Sequence, residues 1–189
     1  MNTDESIDPR ETPVMERLRS LSIAFSRHSH PPVATVEAAR EHWASIDALH
    51  FKNLFLRNQK GDRHYLVVVE HETPVDLKRL ADQIGDGKLS FASPERLAAR
   101  LGPTPGSVSP FGLINDGERR VVLFLDERIR NAANVSFHPN INTATLVLTA
   151  TDFQRFLEST GHVPRFLSFQ ETPSRASQGR TVSETNEPR

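Results

Sequence analysis

The chain of 189 residues contains no cysteine. That absence excludes disulfides, thiolate metal sites and cysteine nucleophiles, and it fits a reducing compartment. An excess of one charge is also lacking, because 23 Lys and Arg stand against 24 Asp and Glu, for a formal net charge of -1. No global positive field draws the chain to nucleic acid, so DNA is not an expected partner and any RNA contact has to use a local basic patch. No run approaches the roughly 20 apolar residues of a membrane span. The opening MNTDESIDPRE is acidic and polar, whereas a secretory signal is basic and then apolar. The expectation is a cytoplasmic protein with no membrane partner. Missing too are a glycine-rich phosphate loop followed by lysine and Ser/Thr, a dinucleotide fingerprint, and paired metal-ligand histidines on a helix. No cofactor and no metal are therefore expected. Ser107 and Ser109 lie near glycine in TPGSVSPFG but do not match GxSxG, which argues against a serine nucleophile.

What is present suits one globular domain. Hydrophobic residues make up 37% of the chain, enough for one core. Residues 1 to 11 carry almost no apolar surface, and from Gln170 onward only Val182 is a sizeable hydrophobe, so neither end offsets its ordering entropy. The reading is a disordered extension over 1–11, one domain over 12–169 and a disordered tail over 170–189. Within the domain, Thr12 and Pro13 resemble a helix cap and first-turn proline, and Val14, Leu18, Leu21 and Phe25 recur at helical spacing. Residues 27–34, held out of a helix by Pro31 and Pro32, form a connector before Thr35 caps a second helix through VEAAREHW. KNLFLR and HYLVVVE flank polar turn residues as in a β-hairpin that Lys52 opens, and the continuous apolar run Leu66 to Val69 predicts a central strand covered on both faces. Helices follow from Leu77 to a stop at Gly85 and from Ser93 to a stop at Gly102. Strands at Val121–Asp126 and Thr143–Thr149 lead to a last helix capped by Thr151 with Gln154. The fold class is mixed α/β, with a sheet that combines hairpins and helical crossovers.

Three features could carry chemistry, and each has two readings. Lys52 before NLFL is either a solvated strand residue or a positioned cation. The loop from Gly102 to Gly112 is either a connector or a backbone nest, in which glycines allow close approach and successive N–H groups bind phosphate or an oxyanion. His138 in NVSFHPN is either a hydrogen-bonded structural histidine or a pocket wall. His28 and His30, beside two prolines, read as a polar connector.

Taken together, HPPVATVEAA (30–39), HFKNLFLRNQK (50–60), LSFASPERLAARLGPTPGSVSPFGLIND (89–116) and NVSFHPNINTATL (134–146) resemble the YbaK/ProX-like prolyl-tRNA editing family, in its branch of free-standing alanyl-tRNA(Pro) deacylases. The resemblance spans about residues 13–169. It implies a mixed sheet partly closed like a barrel, ringed by helices around a pocket for the charged 3′ end of tRNA. Lys52 falls on the lysine that the family needs for activity, with Asn53 beside it as a substrate contact. Gly102, Gly106 and Ser107 fall on the loop that embraces the terminal adenosine and aminoacyl ester, and His138 on the histidine that limits side-chain size. The implied partners are mischarged tRNA(Pro) and prolyl-tRNA synthetase. Two departures lie near the pocket: Ala34 stands where relatives carry an aromatic residue, and Ala48 where a glycine usually precedes His-x-Lys. They leave serine, cysteine or 2-aminobutyrate open as the residue removed, and a silent tRNA- or protein-binding module is the rival of another class. Lys78, Arg79, Arg96 and Arg100 are phosphate contacts or ordinary helix charges.

Overall fold

The computed structural model describes residues 7–32 and 36–169, with the backbone alone for residues 36–39. Ala34 and Thr35 lie outside the described residues, as do residues 1–6 and the polar run from Gln170. Among the described residues eight strands run in chain order as β1 (Ser26–Ser29), β2 (Leu49–Asn58), β3 (His64–Glu70), β4 (Leu89–Phe91), β5 (Val121–Asp126), β6 (Asn134–Phe137), β7 (Ala144–Thr149) and β8 (Arg165–Leu167). The α-helices among the same residues are α1 (Thr12–Ser20), α2 (Val36–Trp43), α3 (Leu77–Ile84), α4 (Pro94–Leu101) and α5 (Ala150–Thr160).

The β2–β3 hairpin forms as its pattern predicts, paired antiparallel from Phe51 opposite Glu70 to Arg57 opposite His64. Its turn is drawn together by one amide. Asn58 Oδ1 accepts from the N–H groups of Gly61 at 2.9 Å and Arg63 at 3.3 Å, and Asn58 Nδ2 donates to Asp62 at 2.7 Å. Arg96 of α4 adds a bond to the Gly61 carbonyl at 2.6 Å. All of β3 is buried, and its apolar run is unbroken because each face meets a core. Leu66 and Val68 pack with Phe51, Phe55, Leu123 and Leu125, while Tyr65, Val67 and Val69 pack with Leu56, Leu80, Leu89 and Phe124.

The strand order is β1-β7-β6-β2-β3-β5-β8, with β4 also paired to β2. Parallel contacts (β2–β6, β3–β5, β5–β8) mix with antiparallel ones. β2 joins the two parts of the sheet, meeting β6 at Leu49 and His50 and β4 at Leu56 to Asn58. The path ends at β1 and β8, so among the described residues the partial barrel is an open one.

Several boundaries differ from the sequence reading. Helix α1 stops at Ser20 and does not reach Phe25: Ser22 takes φ 53° and the Ile23 N–H folds back to the Leu18 carbonyl at 2.9 Å. Its cap position is Glu11, not Thr12, and no side chain caps it. Glu11 is fully buried and its carboxylate receives Arg27 Nε and Nη2, each at 2.9 Å, so this residue belongs to the folded body and not to a polar extension. Residues 27–29 of the expected connector lie in β1, paired with β7. Lys52 stands fourth in β2 and does not open it. Thr149, two residues before Thr151, caps α5 by accepting the Asp152 N–H at 3.0 Å. The stops at Gly85 and Gly102 and the caps Asp76 and Ser93 fall at the predicted helix ends. Among the described residues, no helix is long and apolar enough to cross a membrane.

Candidate active site

Consecutive residues of a strand project to opposite faces, and β2 uses this at Lys52 and Asn53. Asn53 Nδ2 donates to the Val108 carbonyl at 3.0 Å, strapping the strand to the glycine loop, and Asn53 Oδ1 is buried without a partner. The Lys52 ammonium is turned to the segment after β3, where it donates to the Thr73 carbonyl and, at 3.4 Å, to that of His71. A cation held by main-chain carbonyls keeps its charge in a defined place.

The segment that receives Lys52 is braced by residues that sequence reasoning did not single out. Glu70 Oε2 accepts from the Thr73 N–H at 3.1 Å and the Thr73 hydroxyl at 2.8 Å, and Glu70 Oε1 accepts from the Glu72 N–H at 2.9 Å. Arg128 Nη2 donates to the Thr73 hydroxyl at 2.6 Å, and Arg128 Nη1 to Glu70 at 3.3 Å. Arg128 also clasps Asp126, through Nε at 2.9 Å and through Nη2. Burial pushes both carboxyls up, but for Glu70 the N–H of Glu72 and the Thr73 side chain, and for Asp126 the Arg128 guanidinium and backbone N–H groups, outweigh it and hold them below their ordinary values. The only sequence signal was weak: a charged residue, Glu70 or Asp126, closing an apolar strand.

The glycine loop is more ordered than a plain connector. Gly102 ends α4 at φ 91°, and a Cβ there would sit 2.6 Å from Asn115 Nδ2, which donates to the Leu101 carbonyl at 2.7 Å. Gly106 has φ 84°. Ser107 is buried, its N–H bonded to the Thr104 carbonyl at 3.0 Å, and the buried Ser109 hydroxyl accepts the Phe111 N–H at 3.1 Å. The loop closes in a 3-10 helix, Pro110–Asn115, where a Cβ on Gly112 would lie 2.9 Å from the Leu101 carbonyl oxygen. The N–H groups of Ser107, Phe111 and Gly112 are thus engaged within the loop.

His138 follows β6 directly, half-buried, with Nδ1 donating to the Ala144 carbonyl at 2.8 Å. Its ring tilts against His30 with centroids 5.7 Å apart, and His30 stacks on His42 at 5.3 Å. His30 Nδ1 donates to the Pro31 carbonyl at 2.9 Å and Nε2 accepts from Thr145 at 3.0 Å, whereas His28 bonds Ser26 at 3.0 Å, so the two connector histidines take different partners. Burial lowers the pKa of both His30 and His138. On β2, His50 bonds the Ser136 hydroxyl at 2.6 Å and stacks on Trp43 at 4.6 Å. The structure therefore joins Asn53 to the loop of Gly106 and Ser107, joins Lys52 to the Thr73 segment, and sets His138 against His30. Of the basic helix residues, Arg96 is committed to Gly61 and to His64 Nε2 at 3.1 Å, while Lys78 and Arg79 are exposed.

Burial, and then His71, lower the His50 pKa from 6.5 to about 4. Such a group binds its proton more readily unfolded, so its contribution to stability is complete above pH 6.5 and falls as pH drops toward 4. About 2 kcal/mol should be lost between pH 7 and pH 5 from His50 alone. Urea midpoints at the two pH values measure this, and His50→Gln should flatten the slope; an unchanged slope would contradict it.

Residues 30–156 match the model of the aminoacyl-tRNA editing domain. The chain belongs to the aminoacyl-tRNA editing domain family. As an editing domain it is an aminoacyl-tRNA deacylase, a hydrolase. Lys52, Asn53, Gly102, Gly106, Ser107 and His138 all fall inside the matched span. This editing domain is 40% identical over 151 residues to the prolyl-tRNA editing protein ProX of Acetoanaerobium sticklandii, covering 79% of this chain and 91% of that protein. It is 36% identical over 156 residues to the prolyl-tRNA synthetase associated domain-containing protein 1 of Danio rerio, covering 82% and 84% of the two. Among solved structures, a protein proposed as a trans-editing enzyme for prolyl-tRNA synthetase superposes with a TM-score of 0.64 at 21% identity, covering 86% of this chain and 99% of that one. That likeness shows the editing-domain fold, with its mixed sheet and surrounding helices.

Proposed function

We propose that this editing domain, residues 12–169 with Glu11, acts in trans in the cytoplasm on tRNA(Pro) mischarged with alanine and hydrolyses the aminoacyl ester. The observation that carries the reading is the Lys52 ammonium held by the carbonyls of Thr73 and His71, while on the other face of the same strand Asn53 holds the glycine loop through the Val108 carbonyl at 3.0 Å. Similarity to a prolyl-tRNA editing protein over most of the chain supports tRNA(Pro) as the substrate and prolyl-tRNA synthetase as a partner in the same task.

The need follows from the limits of selectivity. A pocket built for proline cannot strongly refuse the smaller alanine, because each missing methylene is worth only about 1–3 kcal/mol. A second pocket that admits alanine and excludes the proline ring removes the error, and a close-packed wall does this by overlap. Ester hydrolysis needs an activated water and a stabilised tetrahedral oxyanion. In this reading the ribose hydroxyl of the substrate assists the water, and no metal or cofactor is called on. Lys52 positions the phosphate or the ester as a fixed cation. The loop N–H groups that are not engaged internally, those of Gly106 and Val108 among them, complete the oxyanion site, with Gly102, Ser107 and Asn53 lining the terminal nucleotide.

The test is a deacylation assay on tRNA(Pro) charged in turn with alanine, serine, cysteine, 2-aminobutyrate and proline. Alanine should be released fastest and proline left in place; no turnover of any ester would end the assignment, and preference for another small residue would redirect it. His138, neutral at pH 7 because its pKa lies below the ordinary histidine value, forms part of the wall. His138→Ala should raise kcat/KM for 2-aminobutyryl or prolyl esters by about tenfold relative to alanyl, as removal of a few methylene-sized obstacles allows. Unchanged ratios across the panel would reject this role.

A further inference from the structure

Lys52 is given its place by carbonyls, and a carbonyl is only as fixed as the backbone that carries it. The Thr73 carbonyl lies in a short segment between β3 and α3 that has no strand or helix of its own. Two backbone bonds hold it, from the Thr73 N–H to the Glu70 carbonyl at 3.2 Å and from the His71 N–H to the His50 carbonyl at 3.1 Å, and side chains complete its order: Glu70 takes the N–H groups of Glu72 and Thr73 and the Thr73 hydroxyl, with His71 Nδ1 2.6 Å from its other oxygen, and Arg128 bonds the same hydroxyl and the same carboxylate. Arg128 is anchored in turn on Asp126, whose other bond is to the backbone N–H of Glu70 at 3.2 Å. The last residue of β3, the last residue of β5 and the first turn of the 3-10 helix Glu127–Asn131 thus close one ring around Thr73.

We propose that Arg128 is a positioning residue for deacylation: with Glu70 and Asp126 it clamps the Thr73 segment and so sets the Lys52 ammonium against the substrate. This rests on Lys52 acting in the proposed reaction. The guanidinium suits the task because its planar fork makes four bonds at once, two to Asp126 and one each to Glu70 and the Thr73 hydroxyl, more than the three donors of an ammonium supply. The ring is fully bonded, so it holds Thr73 in one arrangement and does not merely attract it. Arg128 itself acts only through Thr73 and Lys52, so its loss should leave substrate affinity in place and impair the step that needs the cation in register.

The experiment compares wild type, Arg128→Met and Thr73→Val. The second variant removes only the hydroxyl that Arg128 and Glu70 share, and so keeps the test open where Arg128→Met fails to fold. Three quantities are read: kcat and KM for Ala-tRNA(Pro), the urea midpoint, and the rate at which a water-soluble acylating reagent labels Lys52 relative to the other lysines, followed by mass spectrometry. The expected result is a fall in kcat of about tenfold or more with KM within about twofold, together with faster labelling of Lys52 in the folded protein. A folded variant with wild-type kcat overturns the proposal, and so does a lower kcat with unchanged Lys52 labelling, which would make the ring a general brace. An inactive wild type defeats the deacylase reading instead, and the labelling comparison then still decides whether Arg128 holds Lys52.

Discussion

Lys52→Ala should lower the rate of Ala-tRNA(Pro) deacylation by about 10²–10³-fold, the loss seen when one preorganised group facing the developing charge is removed. The effect belongs to the chemical step, because an ammonium near the ester interacts more strongly with the oxyanion than with the neutral ground state. The fold should survive. Lys52 is half-buried, and water can reach the carbonyls of His71 and Thr73 when the ammonium is gone, so the cost in stability stays toward the low end of the roughly 1–3 kcal/mol of an unsatisfied buried group. Lys52→Arg should not restore activity, since a planar fork cannot sit where a compact ammonium meets two carbonyls. Single-turnover assays with enzyme in excess, beside urea unfolding of each variant, separate chemistry from folding. A Lys52→Ala protein that turns over at the wild-type rate would show that the cation is not part of the reaction.

Phe137→Ala should cost about 3–5 kcal/mol of stability, the range for deleting a buried aromatic ring. Phe137 is 3% exposed and lies at the centre of an aromatic cluster: it stacks on Phe153 at 4.6 Å and Phe51 at 5.5 Å and meets Phe111 edge-on at 6.0 Å. Phe111 in turn meets Phe156 edge-on at 5.0 Å. The ring therefore joins β2, β6, α5 and the 3-10 helix that closes the glycine loop, and the elements around it are too tightly packed to collapse into the space it leaves. At roughly 2–4 °C per kcal/mol for a chain of this size, Tm should fall by about 6–20 °C. Calorimetry reads this directly, and a loss under about 1 kcal/mol would mean that the cluster contributes little.

The long signals in the sequence were sound guides. The apolar run at Leu66–Val69, the glycine stops at Gly85 and Gly102, and the serine and proline opening α4 each depend on neighbours in the chain, and each stands where it was expected. What escaped depends on partners far away. β1 is four residues of Ser, Arg and His with no apolar alternation, and it is a strand only because β7 supplies its hydrogen bonds. Helix α1 ends without a glycine, through a positive φ at Ser22 that no composition signals. β7 runs straight into α5, so the threonine that ends the strand is the one that caps the helix. In the site, Lys52 could be picked out by the segment around it, but the Glu70–Arg128 contact spans 58 positions and has no local pattern.

The hairpin frame matters to the site in a way that distance conceals. Sliding β2 by a single residue along β3 would swap the outlooks of Lys52 and Asn53, aiming an amide at Thr73 and an ammonium at the glycine loop. The buried pattern of the strands and the pairing of β2 with β4 and β6 oppose that slip, and the far tip adds a local stop, where Asn58 gathers Gly61, Asp62 and Arg63 and Arg96 pins the Gly61 carbonyl. The tip thus helps to align residues it never touches, so a change of register that began there would exchange the faces served by Lys52 and Asn53 without altering either residue.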